Sequence, residues 1–239
     1  MGRRTPSSKF VPKDNFKDYN SIWLNFPEGF GLPRPSLILE YLKDLPPNGT
    51  ILEIASGNGR YAIALASSLA QNLKKSNLEI QKPQITALEI STVGADLIRQ
   101  RAIEQNLDLE IICGDFLQID SENLENSSDK VQFDRIFSSG FLEEIEPCEQ
   151  IPAVKKMLEL TKPNGIIICK YCLFISGRIP KIRVSETLIP NYLKKLVQNS
   201  LIEIIQIETD PSIRFNGLST IQDGQNHIRT QTIIIRKID

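Results

Sequence analysis

Histidine is almost missing from this 239-residue chain, which has one, and tryptophan is equally rare. The single histidine, His227, falls in what reads as the loop of a final hairpin, with no paired group to orient it. Such a histidine is expected to be solvated rather than catalytic. Cysteine is scarce too, with four residues. Cys169 and Cys172 stand in C-x-x-C spacing, but no second ligand pair and no thioredoxin-like context accompany them. They lie in an apolar β-rich run whose residues three apart point to opposite faces, so core packing is expected and no metal site. No apolar run approaches the roughly 18 residues of a membrane span. The opening segment MGRRTPSSKFVPK has no apolar stretch of the secretory kind, and Pro6 spoils a myristoylation pattern, so a cytoplasmic location is expected. Positive charge is not in excess: the net charge is -1. Without a basic face there is no general attraction for phosphate polymers, which argues against nucleic acid as a partner.

What is present, at 41% hydrophobic and 24% charged residues, is the composition of an ordinary globular protein, long enough for one α/β domain. From residue 50 onward, short β-branched runs alternate with longer helix-patterned segments. The runs 50–54, 84–90, 109–115, 133–139, 165–171, 202–208 and 230–237 read as strands, and 60–72, 92–105, 148–160 and 186–199 as helices. The segment LTKPNGIIICK reads as a helix end, a Pro-Asn-Gly turn and a new strand. No amphipathic helix joins the last two strands, so they should pair antiparallel. The expected fold is α/β: a doubly wound, mostly parallel seven-stranded sheet with an antiparallel C-terminal hairpin. Upstream, residues 32–49 suggest one helix, with prolines at its entrance and a Pro-Pro-Asn-Gly stop. The preceding stretch gathers Phe16, Tyr19, Trp23, Phe26 and Phe30 without a clear period. Residues 1–32 are therefore an arm or lid, and 33–239 a single domain.

Chemistry concentrates in the stretch ILEIASGNGRYAIALA, residues 51–66. Gly57 and Gly59 lack Cβ atoms, so a ligand can lie against the backbone where a strand ends and a helix N-terminus offers free N–H groups. Gly57, Gly59 and Ala62 also fit the dinucleotide pattern G-x-G-x-x-A, which leaves a nicotinamide-dependent oxidoreductase as a rival reading. Against it, Glu53 would repel a pyrophosphate and welcome an ammonium or a sulfonium, and the antiparallel final pair does not belong to a wholly parallel dinucleotide sheet. Glu89, ending the second strand, is placed to accept hydrogen bonds from ribose hydroxyls. Asp115 and Phe116, after the third strand, offer a carboxylate for an exocyclic amine beside an apolar wall for a flat base. Each residue also has a plainer reading: surface charge for Glu53 and Glu89, helix cap for Asp115, loop polarity for Ser138 and Ser139.

In the order of these motifs the chain resembles class I S-adenosylmethionine-dependent methyltransferases of the small-molecule type. The resemblance covers roughly residues 33–237. The family's first motif, D/E-x-G-x-G-x-G, is matched by Glu53-Ile54-Ala55-Ser56-Gly57-Asn58-Gly59, with Ala55 in place of a glycine. The resemblance implies that S-adenosylmethionine is the cofactor and S-adenosylhomocysteine its product. It further implies that Glu89 binds the ribose, that Asp115 binds the adenine amine, and that Ile90 and Phe116 flank the base. Ser138, Ser139 and Gly140, in the segment matching the fourth motif, would run under the methionine end. Many relatives carry a histidine soon after that strand; here Glu143 and Glu144 follow, so no histidine base carries over. No Asn-Pro-Pro-Tyr type motif points to amino-group methylation of bases. With no base in sight, a carboxylate on a small molecule or peptide is the expected acceptor, since it is a nucleophile without losing a proton. Tyr19, Trp23, Phe30, Tyr171 and Arg178, the last beside Lys181 and Arg183, are the candidate acceptor contacts. A non-catalytic binding subunit of the same fold is the remaining alternative.

Overall fold

The β-branched runs become seven strands: β1 (Thr50–Ile54), β2 (Gln84–Glu89), β3 (Glu110–Cys113), β4 (Phe133–Ser139), β5 (Thr161–Leu173), β6 (Ile202–Arg214) and β7 (His227–Lys237). The helices are α1 (Tyr19–Asn25), α2 (Arg60–Ser76), α3 (Thr92–Glu104), α4 (Pro147–Glu159) and α5 (Leu188–Gln198). This computed structural model describes residues 19–25, 27, 45–46, 48–76, 83–120, 132–173, 188–214 and 227–238. The helix expected within 32–49 lies largely outside them.

The strands form one sheet in the order β3-β2-β1-β4-β5-β7-β6. β1 to β5 pair in parallel, and β7 is antiparallel to both β5 and β6. This is the expected mostly parallel sheet with its antiparallel end. Side chains alternate along each strand, so the sheet feeds two cores. Leu52, Ile54, Ile136, Ile167 and Ile235 meet Val154 and Met157 of α4 and Leu193 of α5 on one face. Ile51, Ala87, Phe137, Ile168 and Ile234 meet Tyr61 and Leu65 of α2 and Ile98 of α3 on the other. Runs such as Ile166–Ile168 are apolar without alternation because both faces are covered.

Two features differ from the sequence reading. The Pro163-Asn164-Gly165 turn lies inside β5 as a bulge: Thr161 pairs with Phe133 and Ile166 with Arg135, and Asn164 takes a φ of 61°. The final hairpin is also longer than expected, and its pairing reaches Arg214 opposite His227. His227 thus begins a strand and does not sit in the loop. At the N-terminal edge of the sheet, Asp134 Oδ2 accepts hydrogen bonds from Thr50 N at 2.8 Å, Thr50 Oγ1 at 3.0 Å and Lys162 Nζ at 2.8 Å. Burial alone would raise the Asp134 pKa, but the Lys162 and Thr50 bonds hold it below its ordinary value. That clasp ties β1, β4 and β5 together at the edge away from the glycine turn.

From β1 the chain steps outward to β2 and β3, then returns to the other side of β1 for β4 and β5. The loops after β1 and β4 leave in opposite directions, which opens a crevice at the C-terminal strand ends.

Candidate functional site

The turn after β1 is built from left-handed backbone. Ala55, Gly57 and Gly59 have φ of 56°, 61° and 75°. The two glycines take such values without strain, whereas Ala55 pays for its methyl group in conformational energy. Ser56 N donates to Leu88 O at 3.0 Å, and Gly57 N to Glu89 Oε2 at 2.6 Å, so the turn is hung on the end of β2. The other Glu89 oxygen accepts from Ser91 N at 2.9 Å. Ser91 in turn caps α3, its Oγ accepting from Gly94 N at 3.0 Å. Glu89 is buried, and burial raises its pKa to about 7 despite these backbone donors.

The Glu53 carboxylate lies just before the glycine turn, and its Oε2 accepts from Ala62 N, in the first turn of α2, at 3.0 Å. Burial pushes its pKa up to about 8. A strand residue therefore supplies an acceptor to the first turn of the next helix. Asp115 follows β3, and its Oδ1 accepts from Leu117 N at 2.9 Å, which caps a turn and not the helix of the plainer reading. Gly114 N donates to Glu89 O at 2.9 Å, which brings this loop beside the end of β2. Ile90, just past β2, is partly buried. Phe116 is buried in the core, edge-on to Phe141 with ring centroids 5.6 Å apart. Ser138 is buried beside Cys169, and Ser139 is partly buried.

The candidate acceptor contacts divide. Tyr171 lies buried in the core with its hydroxyl donating to Gln231 Oε1. Phe30 and Arg178, with Lys181 and Arg183, lie outside the described residues. Tyr19 and Trp23 lie on α1, which runs over the crevice. Tyr19 Oη donates to Glu144 Oε2 at 3.3 Å; burial and the nearby Glu144, Glu89 and Asp115 raise its pKa. Trp23 rests on the glycine turn: a Cβ placed on Gly57 would stand 2.7 Å from its Cζ2, and one on Gly94 3.1 Å from its Cδ1. Its buried indole N–H lies close to the Glu89 carboxylate, outside regular hydrogen-bond geometry.

Residues that sequence reasoning passed over complete the picture. Ser91 Oγ donates to Asn20 Oδ1 at 2.7 Å, and the carbonyl of Pro27 accepts from Asn58 Nδ2 at 3.1 Å and Arg101 Nη2 at 2.8 Å. The serine had a signal, a Ser-Thr pair between strand and helix. Asn20 and Arg101 had none.

Among the described residues no three His, Cys, Asp or Glu side chains are grouped to hold a metal ion, and no helix is long and apolar enough to cross a membrane. The features that remain fit an adenosine ligand in kind: a glycine turn without side chains, covered here by the Trp23 ring, and a carboxylate held rigidly beside it.

A family defined as methyltransferase domains matches residues 45–217. The chain belongs to that family of methyltransferase domains. Over 106 residues it is 28% identical to the release factor glutamine methyltransferase of Haemophilus influenzae, a match spanning 40% of this chain and 35% of that protein. In architecture it is similar to TehB from Haemophilus influenzae, with a TM-score of 0.61 at 12% identity, covering 92% of this chain and 67% of the other. A methyltransferase from Methanosarcina mazei gives a TM-score of 0.57 at 16% identity, covering 87% and 99%.

Proposed function

We propose that this protein transfers a methyl group from S-adenosylmethionine to a carboxylate or other oxygen of a small molecule or peptide. The observation that carries the cofactor site is the Glu89 carboxylate, buried at the end of β2 and bonded to the main chain of Gly57. When bound, the cofactor supplies a methyl group activated by its sulfonium. Glu89 receives the ribose hydroxyls, the turn from Ala55 to Gly59 lies under the ligand's polar chain, and the Gly114–Phe116 loop and Ile90 receive the base. Glu53 acts one step removed, by holding the first turn of α2 and with it the glycine turn. Ser138 and Ser139 border the methionine end.

A carboxylate acceptor is supported by the state of the two tyrosines that could have served as bases. Tyr171 is committed to Gln231, and burial raises the Tyr19 pKa, which leaves its phenol a poor proton acceptor at neutral pH. A carboxylate acceptor asks only for alignment and exclusion of water. The net charge of -1 supports a small-molecule or peptide partner over nucleic acid, and a cytoplasmic enzyme suits the absence of long apolar helices among the described residues. Residues 33–239 act as the methyltransferase domain and 1–32 as its arm.

Calorimetric titration with S-adenosylmethionine, S-adenosylhomocysteine and NAD tests the cofactor site. Micromolar binding of the first two is expected, weakened at least tenfold in Glu89→Ala, about the 1.4 kcal/mol or more that a hydrogen bond to a charged group contributes. Asp115→Ala should weaken it as well. Binding of NAD alone would favour the oxidoreductase reading, and binding of none the non-catalytic one. Methyl-ester formation with a panel of carboxylates tests the acceptor.

A further inference from the structure

The proposed ribose site is already filled by this chain. Trp23 rests on Gly57 and Gly94, the two glycines that flank Glu89, and its six-membered ring is in contact distance of the turn. Glu89 is only 3% exposed. A ribose diol cannot reach the Glu89 oxygens while the indole stands there, because two bodies would share one space.

The helix that carries the ring is a strap fastened on three sides of the crevice. Tyr19 is bonded to Glu144 in the loop after β4. Asn20 receives Ser91 Oγ, and more distantly Thr92 Oγ1 at 3.3 Å and Val93 N at 3.4 Å, at the start of α3. Pro27 is held by Asn58 in the glycine turn and by Arg101 of α3. None of these bonds is to a buried partner on the strap's own side: Asn20, Leu24 and Asn25 are exposed, and α1 buries no residue completely. Among the described residues, the polar bonds of Tyr19, Asn20 and Pro27 and the Trp23 ring tie the strap to the crevice, and none of them belongs to the ladders of the sheet.

Resting on the reading of Glu89 as the ribose partner, we propose that Trp23 is a built-in occupant of the cofactor site, which the cofactor must displace by lifting α1. The strap is then a competitive gate, closed in the free protein and open, or re-laid over the ligand, in the complex. A ligand that binds only the open form sees its affinity reduced by the fraction of molecules that are open.

Because Trp23 is the one tryptophan of the chain, its fluorescence reads the strap directly. Titration of the full-length protein with S-adenosylhomocysteine should move the emission maximum, with the same midpoint as the calorimetric binding curve. Trp23→Ala should bind S-adenosylhomocysteine more tightly, by about tenfold if the strap is closed nine-tenths of the time. Asn20→Ala keeps the reporter and removes the central latch. It should red-shift the emission of the free protein and tighten binding in the same direction. Binding to Trp23→Ala but not to the unaltered protein would support the gate in its strongest form. Binding with the emission unmoved, or weaker binding to a Trp23→Ala protein that melts normally, would overturn it, the latter making the ring a cofactor contact. Failure of both proteins to bind would overturn the site reading itself and the gate with it; tight binding lost only in Glu89→Ala, with no effect of Trp23→Ala, would sink the gate alone.

Discussion

At residue scale, the departure from the family's first motif has a measurable energy. Ala55 occupies the left-handed region at φ 56°, where a side chain costs roughly 1–2 kcal/mol relative to the right-handed form. Glycine there relieves the strain but gains freedom in the unfolded chain, which takes back roughly 0.5–1 kcal/mol. Ala55→Gly should therefore raise the unfolding free energy by about 0.5–1 kcal/mol, seen as a higher urea midpoint at unchanged slope. A lower midpoint would mean that the methyl group's packing against the neighbouring core outweighs the strain. The position illustrates what a sequence hides: the substitution is visible as a letter, but its φ, and hence its energetic sign, is not.

At element scale, the sheet was readable and the strap was not. The strands of the sheet and the four helices covering it announce themselves because each is long enough for a period to register against a two-sided core. α1 has seven residues and no apolar stripe, so its aromatics read only as an unpatterned cluster. The limits of β6 and β7 were missed for another reason. A ladder requires only main-chain groups, so Asp210 and Pro211 do not end it; a register shift between Asp210 and Ile213 absorbs them. Of the candidate site, the glycine turn and the place of Glu89 at the end of β2 were legible in the sequence, whereas the bond from Ala62 N to Glu53 was not. Ser91 ties two elements together, capping α3 and latching α1. Ser91→Ala should cost about 1 kcal/mol in urea unfolding, the ordinary value of a lost helix cap. It should also red-shift the Trp23 emission of the folded protein; a stability loss with unchanged emission would assign Ser91 to the cap alone.

At the scale of the whole molecule, two buried carboxylates set how stability follows pH. Glu53 and Glu89 start from 4.5 and rise in the fold to about 8 and about 7. The folded protein thus holds protons that the unfolded chain releases. Their favourable contribution is complete below about pH 4.5 and is lost as pH rises toward 7 and 8. A tenfold difference in proton affinity between folded and unfolded chain corresponds to about 1.4 kcal/mol, so Glu53 alone accounts for a few kcal/mol across that window. Glu53→Gln keeps an oxygen for the Ala62 N–H and removes the titration. It should be more stable than the unaltered protein at pH 8 and nearly equal to it at pH 5; parallel stability curves from urea unfolding at the two pH values would reject the assignment. Asp134 works in the opposite sense, its lowered pKa contributing stability above about 3.8 that is lost on acidification.

The strand order carries one more consequence, for synthesis. β7 follows β6 in the chain yet lies between β6 and β5. When β6 leaves the ribosome its native neighbour is not yet made, and it must wait for the segment behind it. That later segment carries Ile233-Ile234-Ile235, a run with the stickiness of an aggregating strand, and it is received on both sides as soon as it appears. The nascent chain therefore exposes a half-finished β5 edge for the time taken to translate residues 174–226, α5 and β6 among them. Slow codons in that interval would lengthen the protein's most vulnerable moment, and chaperone dependence should track translation speed there.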